Sequence, residues 1–359
     1  MPTLKQTMEQ VLALPREAGT PAAERARDLV IIHLTGLGYE VEVQRFRFHP
    51  SALLAFPVLG AGLGALALII FPLLLSHGTP GWGAFLVWAT GLLAVILLSL
   101  GVGLGWVPLR GAAREDANLI ATRGGAAVRR WIVAHLDSKA QAQSMAGRLV
   151  AVWVIGLAIA GLTALAALRF SGAISLPLAT AGTLLAVWAG LLAGRGRLRG
   201  SSRGARDNGS GLLAALAAGG ESTDPETGLL ITGAEEFGMV GARVFAQTQA
   251  ERLRGAAVVN LDTIDEEGDL YLVSHDEPGE VLAREQLPLL AGLALPLRPR
   301  RLPLGILVDS LPLARAGARA ITIGRLTWRT LRVIHTSRDT PEGLSLATAE
   351  RVGRALAVN

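Results

Sequence analysis

Four uncharged stretches, Ala52–Leu75, Gly83–Trp106, Leu149–Leu168 and Ala173–Ala193, interrupt a chain that elsewhere mixes polar and apolar positions. Each is close to the ~20 residues that cross the hydrocarbon core of a bilayer. None has the polar face that a helix of a soluble domain normally turns to water. They are therefore expected to be membrane spans. They form two hairpins, closed by His77-Gly78-Thr79-Pro80-Gly81 and by Phe170-Ser171-Gly172. A hairpin returns the chain to the side it left, so residues 1–50, the middle segment and residues 195–359 are expected on one face.

Between and after the spans the pattern changes. Thr20-Pro21 pairs a helix cap with proline at the first helical position, which predicts a helix through Leu34 ending near Gly36 and Gly38. Short apolar runs predict strands at Tyr39–Phe46, Asn118–Thr122, Trp131–His135, Leu229–Thr232, Ala257–Leu261 and Ala320–Ile323. Gly124-Gly125 supplies a turn between the second and third of these. Gly211–Ala218 and Val240–Arg252 read as helices. Such alternation predicts an α/β fold, a mixed and largely parallel sheet with helices on both faces, carrying four transmembrane helices inserted as two hairpins. The expected division is 1–50, 108–147 and 195–359 for the polar domain, with hairpins at 51–107 and 148–194.

Composition sharpens this picture. A 359-residue chain that is 51% hydrophobic is too apolar for an ordinary soluble enzyme. The excess sits in the spans, and what remains is ample for one α/β domain. Residues 1–46 carry Lys5, Glu9, Arg16 and Glu17 and lack the early apolar run of a signal peptide. The absence of cysteine excludes disulfides and thiolate ligands. The net charge of +5 is mostly arginine, since lysine occurs only at Lys5 and Lys139. Arg45, Arg47, Arg110, Arg114, Arg148, Arg195, Arg197, Arg199 and Arg203 lie near span ends on one face, whereas the opposite face has only Arg169. The excess of positive charge on cytoplasmic loops predicts an integral membrane protein with its polar domain in the cytoplasm, in a bacterium at the inner membrane. Arginines so placed suit phospholipid headgroups and no nucleic acid.

Candidate chemistry collects where strands should end, as it does in open α/β sheets. His135 follows Val133-Ala134, Asp207 lies in Gly204-Ala205-Arg206-Asp207-Asn208-Gly209-Ser210-Gly211, Glu236 in Ala234-Glu235-Glu236-Phe237-Gly238, Asp262 in Val259-Asn260-Leu261-Asp262, and His335 in Ile334-His335-Thr336. Two histidines and three carboxylates are the hard-to-borderline donor set that holds a pair of zinc ions, and cobalt or manganese suits similar sets. Glu235 would stay free to act as a base. Each piece alone has a plainer explanation: a core histidine, a helix start, a turn. His275 reads as a surface residue, and His33, His49 and His77 have no metal-like context. Lys139 reads as solvated, with a substrate carboxylate as its other use. The hairpins begin and end close to His135 and Asp207 in sequence, which predicts a site facing the membrane surface.

Taken in order, His135-Leu136-Asp137-Ser138, residues 204–211, Glu235-Glu236-Phe237-Gly238-Met239-Val240-Gly241, Asn260-Leu261-Asp262 and Ile334-His335-Thr336-Ser337-Arg338-Asp339-Thr340 resemble the successive motifs of the co-catalytic di-zinc aminopeptidase family. That family includes secreted bacterial aminopeptidases, glutamate carboxypeptidases, glutaminyl cyclases and the transferrin receptor. Leu14-Pro15-Arg16-Glu17-Ala18-Gly19-Thr20-Pro21 and Gly38-Tyr39-Glu40-Val41-Glu42-Val43 resemble its N-terminal region. The resemblance covers most of the polar chain and implies specific roles. Asp207 would bridge two zinc ions, His135 and Asp262 would complete one site, and Glu236 and His335 the other. Asp137 would orient His135 through its second ring nitrogen, and Glu235 would take a proton from the attacking water and pass it to the leaving amine. Three positions depart from the pattern: Ile334 and Leu136 stand where tyrosine is frequent, and Asp309-Ser310 where Asp-His is expected. The resemblance implies a membrane-embedded zinc exopeptidase, an aminopeptidase acting on short peptides near the bilayer. Two alternatives stay open, an amidase for lipidated or N-acyl amino acids and a non-catalytic membrane scaffold or receptor.

Overall fold

A computed structural model describes residues 2–78, 80–109, 111–303 and 306–357. Thr79 of the first hairpin turn and Arg110 of the flanking arginines lie outside the described residues. The chain forms two compact units: one comprises Met1–Phe48, Ala113–Ala140 and Gly200–Asn359, the other His49–Ala112 and Gln141–Arg199.

The first unit is built on a mixed eight-stranded sheet. Its strands are β1 (Glu40–Phe48), β2 (Arg114–Thr122), β3 (Arg130–His135), β4 (Thr227–Thr232), β5 (Ala257–Ile264), β6 (Leu270–Ser274), β7 (Leu297–Arg301) and β8 (Arg319–Arg325). Their spatial order is β1-β2-β4-β3-β5-β8-β6-β7. The four central strands β4, β3, β5 and β8 run parallel, while β1 and β2 pair antiparallel with their neighbours and β6 runs antiparallel to β8. Parallel central strands must be covered on both faces. The alternation along β3 shows this: Ile132 and Ala134 join one core with Val30, Leu34, Leu216 and Val352, whereas Trp131 and Val133 join the other with Phe245, Leu253 and Leu313. The helices of the first face include Leu4–Leu12, Pro21–Gly36, Gly211–Glu221 and Ala347–Leu356; Val240–Thr248 and Ser310–Arg315 lie on the second. The capping prediction at Pro21 holds, since the Thr20 hydroxyl accepts from the Ala23 amide.

The second unit contains four helices long and apolar enough to cross a membrane: Pro50–Leu75, Gly81–Gly103, Met145–Leu168 and Leu176–Gly194. Leu63, Ile70, Leu74, Trp88, Leu162 and Ala186 form its interior, while Leu97, Trp153, Leu157, Leu184 and Leu191 point outward. Small residues let the first and last of these helices touch. A Cβ at Gly60 would lie 2.4 Å from the Ala193 Cβ, and one at Gly190 only 2.7 Å from the Gly60 carbonyl oxygen. Arg169 donates to the main-chain carbonyls of Leu73 and Ser76, which satisfies the last turn of the first helix.

Candidate metal centre

The loops leaving β3, β4 and β5 converge, and a fourth segment before the helix Gly211–Glu221 joins them. His135 is the last residue of β3, and Glu235 and Glu236 follow β4 after a turn through Ala234, whose φ is 51°. Asp262 stands near the end of β5, where its pairing with β8 shifts register between Leu261 and Ile264. His335, with φ 63°, follows the short helix Trp328–Leu331.

Asp207 sits in a loop anchored at several points. The Asn208 side chain donates to the Leu261 carbonyl at 2.8 Å and accepts from the Gly211 and Thr263 amides at 3.0 and 3.1 Å. Gly211 makes this approach feasible, because a Cβ there would meet both the Asn208 side-chain oxygen and the Leu261 carbonyl at 2.2 Å. Asp339 accepts from the Arg206 and Asp207 amides at 2.9 and 3.0 Å. Arg16 is wholly buried, and its guanidinium donates to the carbonyls of Leu136, Arg203 and Gly204 at 2.8, 2.5 and 3.0 Å. It thus joins the loop that carries His135 to the loop that carries Asp207.

These supports bring the predicted residues into two groups that share Asp207. In one, His135 Nε2 lies 3.2 Å from Asp207 Oδ1 and 4.0 Å from Asp262 Oδ1. In the other, His335 Nε2 lies 3.0 Å from Asp207 Oδ2 and 3.3 Å from Glu236 Oε2. The ligand atoms of each triad fall within 4.8 Å of one another. All but Asp262 are buried, and Asp262 is only slightly exposed. Glu235 Oε2 is 3.9 Å from His135 Nε2.

Asp137 lies against the second ring nitrogen of His135 and has a further contact that the sequence did not show. The His135 Nδ1 contact is to the main-chain carbonyl of Asp137 at 3.0 Å, while the Asp137 carboxylate is 3.6 Å away. That carboxylate also accepts from the amides of Glu235 and Glu236 at 3.0 and 3.1 Å. Asp137 thus faces the imidazole and holds the two glutamates as well.

The electrostatics of the cluster call for a cation. Burial pushes the Glu235 carboxyl well up, and Asp309, Glu236 and Asp262 add to this against the opposing pull of His135. Burial, reinforced by Asp207, raises Asp262 to about 6. Asp207 moves the other way: burial opposes ionisation, but hydrogen bonds from His135 and His335 outweigh it. His135 is held well above the ordinary histidine value despite burial, because Glu235, Asp137 and Asp207 face it. Buried carboxylates gathered this closely must be neutralised, paired or coordinated. Glu236 Oε1 and His335 Nδ1 are buried with no hydrogen-bond partner among the described residues. Two imidazoles and three carboxylates therefore fit divalent zinc in donor type, in burial and in unmet charge.

Several contributors escape a reading of the sequence. Lys139 is buried, not solvated, and its Nζ is 2.5 Å from Glu236 Oε2. Asp309 is fully buried, accepts from the Thr232 hydroxyl, and is raised by burial to about 7. His275, read as a surface residue, is half-buried with Nε2 2.6 Å from Ser310 Oγ, beside Asp309 but outside both triads. An imidazole from a distant loop thus adjoins the serine that stands where the resemblance leads one to expect histidine. The one sequence signal for Lys139 was its rarity in an arginine-rich chain.

Comparison with known proteins gives the same fold. The sequence model of peptidase family M28 matches residues 180–359. No curated protein matches the sequence significantly. An aminopeptidase from Aneurinibacillus sp. strain AM-1 is similar in structure, with 14% identity and a TM-score of 0.55 over 99% of this chain and 91% of that one. A glutaminyl cyclase from Fimbriiglobus ruber has 15% identity and a TM-score of 0.55, covering 99% and 94%. A zinc aminopeptidase from Bacillus subtilis has 14% identity and a TM-score of 0.55, also covering 99% and 94%.

Proposed function

Because the chain belongs to peptidase family M28, we propose that it is a membrane-embedded, zinc-dependent aminopeptidase that removes N-terminal residues from short peptides near the bilayer. The observation that carries this reading is the pair of triads sharing Asp207, with Glu235 beside them. His135, Asp207 and Asp262 would hold one zinc ion, and Asp207, Glu236 and His335 a second. When bound, zinc lowers the pKa of a coordinated water toward ~7 and polarises a carbonyl oxygen.

The chain's own groups supply the rest. Glu235 is buried, and its raised proton affinity suits a group that accepts a proton from water near neutral pH and returns it to the leaving amine. Asp137 fixes the backbone of both glutamates, so that Glu235 keeps its place while Glu236 serves as a ligand. Asp339 and Arg16 hold the Asp207 loop, so that each carboxylate oxygen faces a different histidine. The four apolar helices belong to this proposal as a membrane anchor in two hairpins that interrupt the peptidase domain. The excess of arginine at one set of span ends favours a cytoplasmic domain.

Glu235→Gln is expected to lower peptide turnover by about 10²–10⁴-fold, the usual contribution of a general base. Bound zinc, measured by elemental analysis, should stay at the wild-type level. Purified protein in lipid nanodiscs, offered a mixed peptide library and read by mass spectrometry, provides the assay. Wild-type protein that holds zinc and trims no peptide would sink the aminopeptidase reading. The apolar helices favour one second reading, an amidase for lipidated or N-acyl amino acids, which the same preparation tests on lipid extracts.

A further inference from the structure

One of the two triads contains a cation of its own. Lys139 Nζ lies 2.5 Å from Glu236 Oε2 and 3.4 Å from the Glu236 carbonyl oxygen. The same Oε2 is the Glu236 oxygen that faces His335 Nε2, at 3.3 Å. The ammonium therefore uses the oxygen through which Glu236 faces the rest of its triad. This placement follows from the backbone. Asp137, two residues before Lys139, accepts from the amides of Glu235 and Glu236 and pins the segment against them. Among the described residues Glu236 is the only ion-pair partner of Lys139, and no lysine or arginine pairs with Asp262 of the other triad.

Resting on the metallopeptidase reading above, we infer that Lys139 makes the two halves of the centre unequal: His135, Asp207 and Asp262 take the first divalent ion, and Lys139 competes with a second ion for Glu236. The competition has two routes and both oppose the second ion. If the ammonium stays, two positive charges share one carboxylate where little water screens them. If it leaves, a buried lysine loses its only acidic partner. Lys139 thus acts as the resident cation of the Glu236–His335 half until free metal is high enough to displace it. The first half keeps its ion throughout.

The test is zinc titration of chelator-stripped, full-length protein in detergent by calorimetry, with stoichiometry from elemental analysis after equilibration at fixed free zinc. The expected wild-type result is one tight step and a second weaker by about tenfold or more. Lys139→Met removes the charge at similar length and should tighten the second step by about tenfold while leaving the first unchanged. Lys139→Arg should retain the separation, and Asp262→Asn should weaken the first step. Lys139→Gln replaces the methionine variant if that chain fails to fold. Two steps of equal affinity in the wild type, or a second step indifferent to loss of the charge, would overturn the inference and leave the metallopeptidase reading standing. No zinc bound by wild type or variants would remove that reading and this inference together.

Discussion

Arg16 occupies a position where a charge is expensive, and it is kept there by geometry. Burial lowers its pKa to about 10, and Asp339, Asp137 and Asp207 oppose that shift, so it remains a cation at neutral pH. Its three carbonyl contacts span 120, 187 and 188 residues of sequence. Arg16→Met would take this donor from all three carbonyls; that of Gly204 keeps the Gly209 amide, and loss at Leu136 and Arg203 costs about 1–3 kcal/mol for each that finds no water. A lowered melting temperature and weaker zinc binding are expected together; unchanged zinc affinity would show that the His135 and Asp207 loops do not depend on this clamp. The acidic cluster makes a second prediction, for chelated protein. Burial is the main cause that raises Asp262 to about 6, Asp309 to about 7 and Asp339 to about 6, from an ordinary value near 4. The folded chain then holds protons that the unfolded chain has released. The stability this confers is complete below about pH 4 and is lost as pH rises through about 6–7. Asp207 and Glu236 are shifted downward, so their stabilising contribution fades only in acid, outside this window. Melting of chelated protein should therefore fall from pH 5 to pH 8, and added zinc should restore more stability at the alkaline end. A melting temperature that is flat or rising across that range would contradict the account.

At the scale of elements, two close approaches matter most. In the first unit a Cβ at Gly353 would stand 2.1 Å from the Ala214 carbonyl oxygen, so the helices Ala347–Leu356 and Gly211–Glu221 cross backbone to backbone. In the second unit Gly60, Gly190 and Ala193 bring two apolar helices together in the manner of small-residue crossings in membranes. Gly60→Ile should force these helices apart, with a cost of about 1–3 kcal/mol. Loss of protease resistance in the detergent-solubilised protein would reveal it, whereas substitution at Gly156, which has open space around its Cβ position, should be tolerated. The central strands were legible because each is an apolar run. β7 was not, since Leu297-Arg298-Pro299-Arg300-Arg301 has no apolar alternation; an edge strand needs none and accommodates proline. The helix Glu277–Ala291 was obscured by Pro288 within it, although Asp276 caps its start by accepting from the Gly279 amide.

The molecule as a whole joins a peptidase unit to a unit of apolar helices through several chain crossings, and the proposed topology can be tested directly. With the arginine-flanked span ends in the cytoplasm, protease added to sealed right-side-out vesicles should spare residues 195–359, and inverted vesicles should expose them. Digestion in the right-side-out vesicles alone would reverse the assignment. The sequence by itself determined the four apolar helices, the α/β class and the identity and order of the candidate ligands. Span length, strand pattern and donor type are properties of neighbouring residues, and neighbours are what a sequence displays. It could not show that the two oxygens of Asp207 face different histidines, that the Asp137 carboxylate holds Glu235 and Glu236, or that Lys139 is buried on Glu236. Those facts depend on side-chain direction at loops that meet only when β3, β4 and β5 lie side by side. Their partners are about 70 to 130 residues apart, and packing alone decides which of them touch.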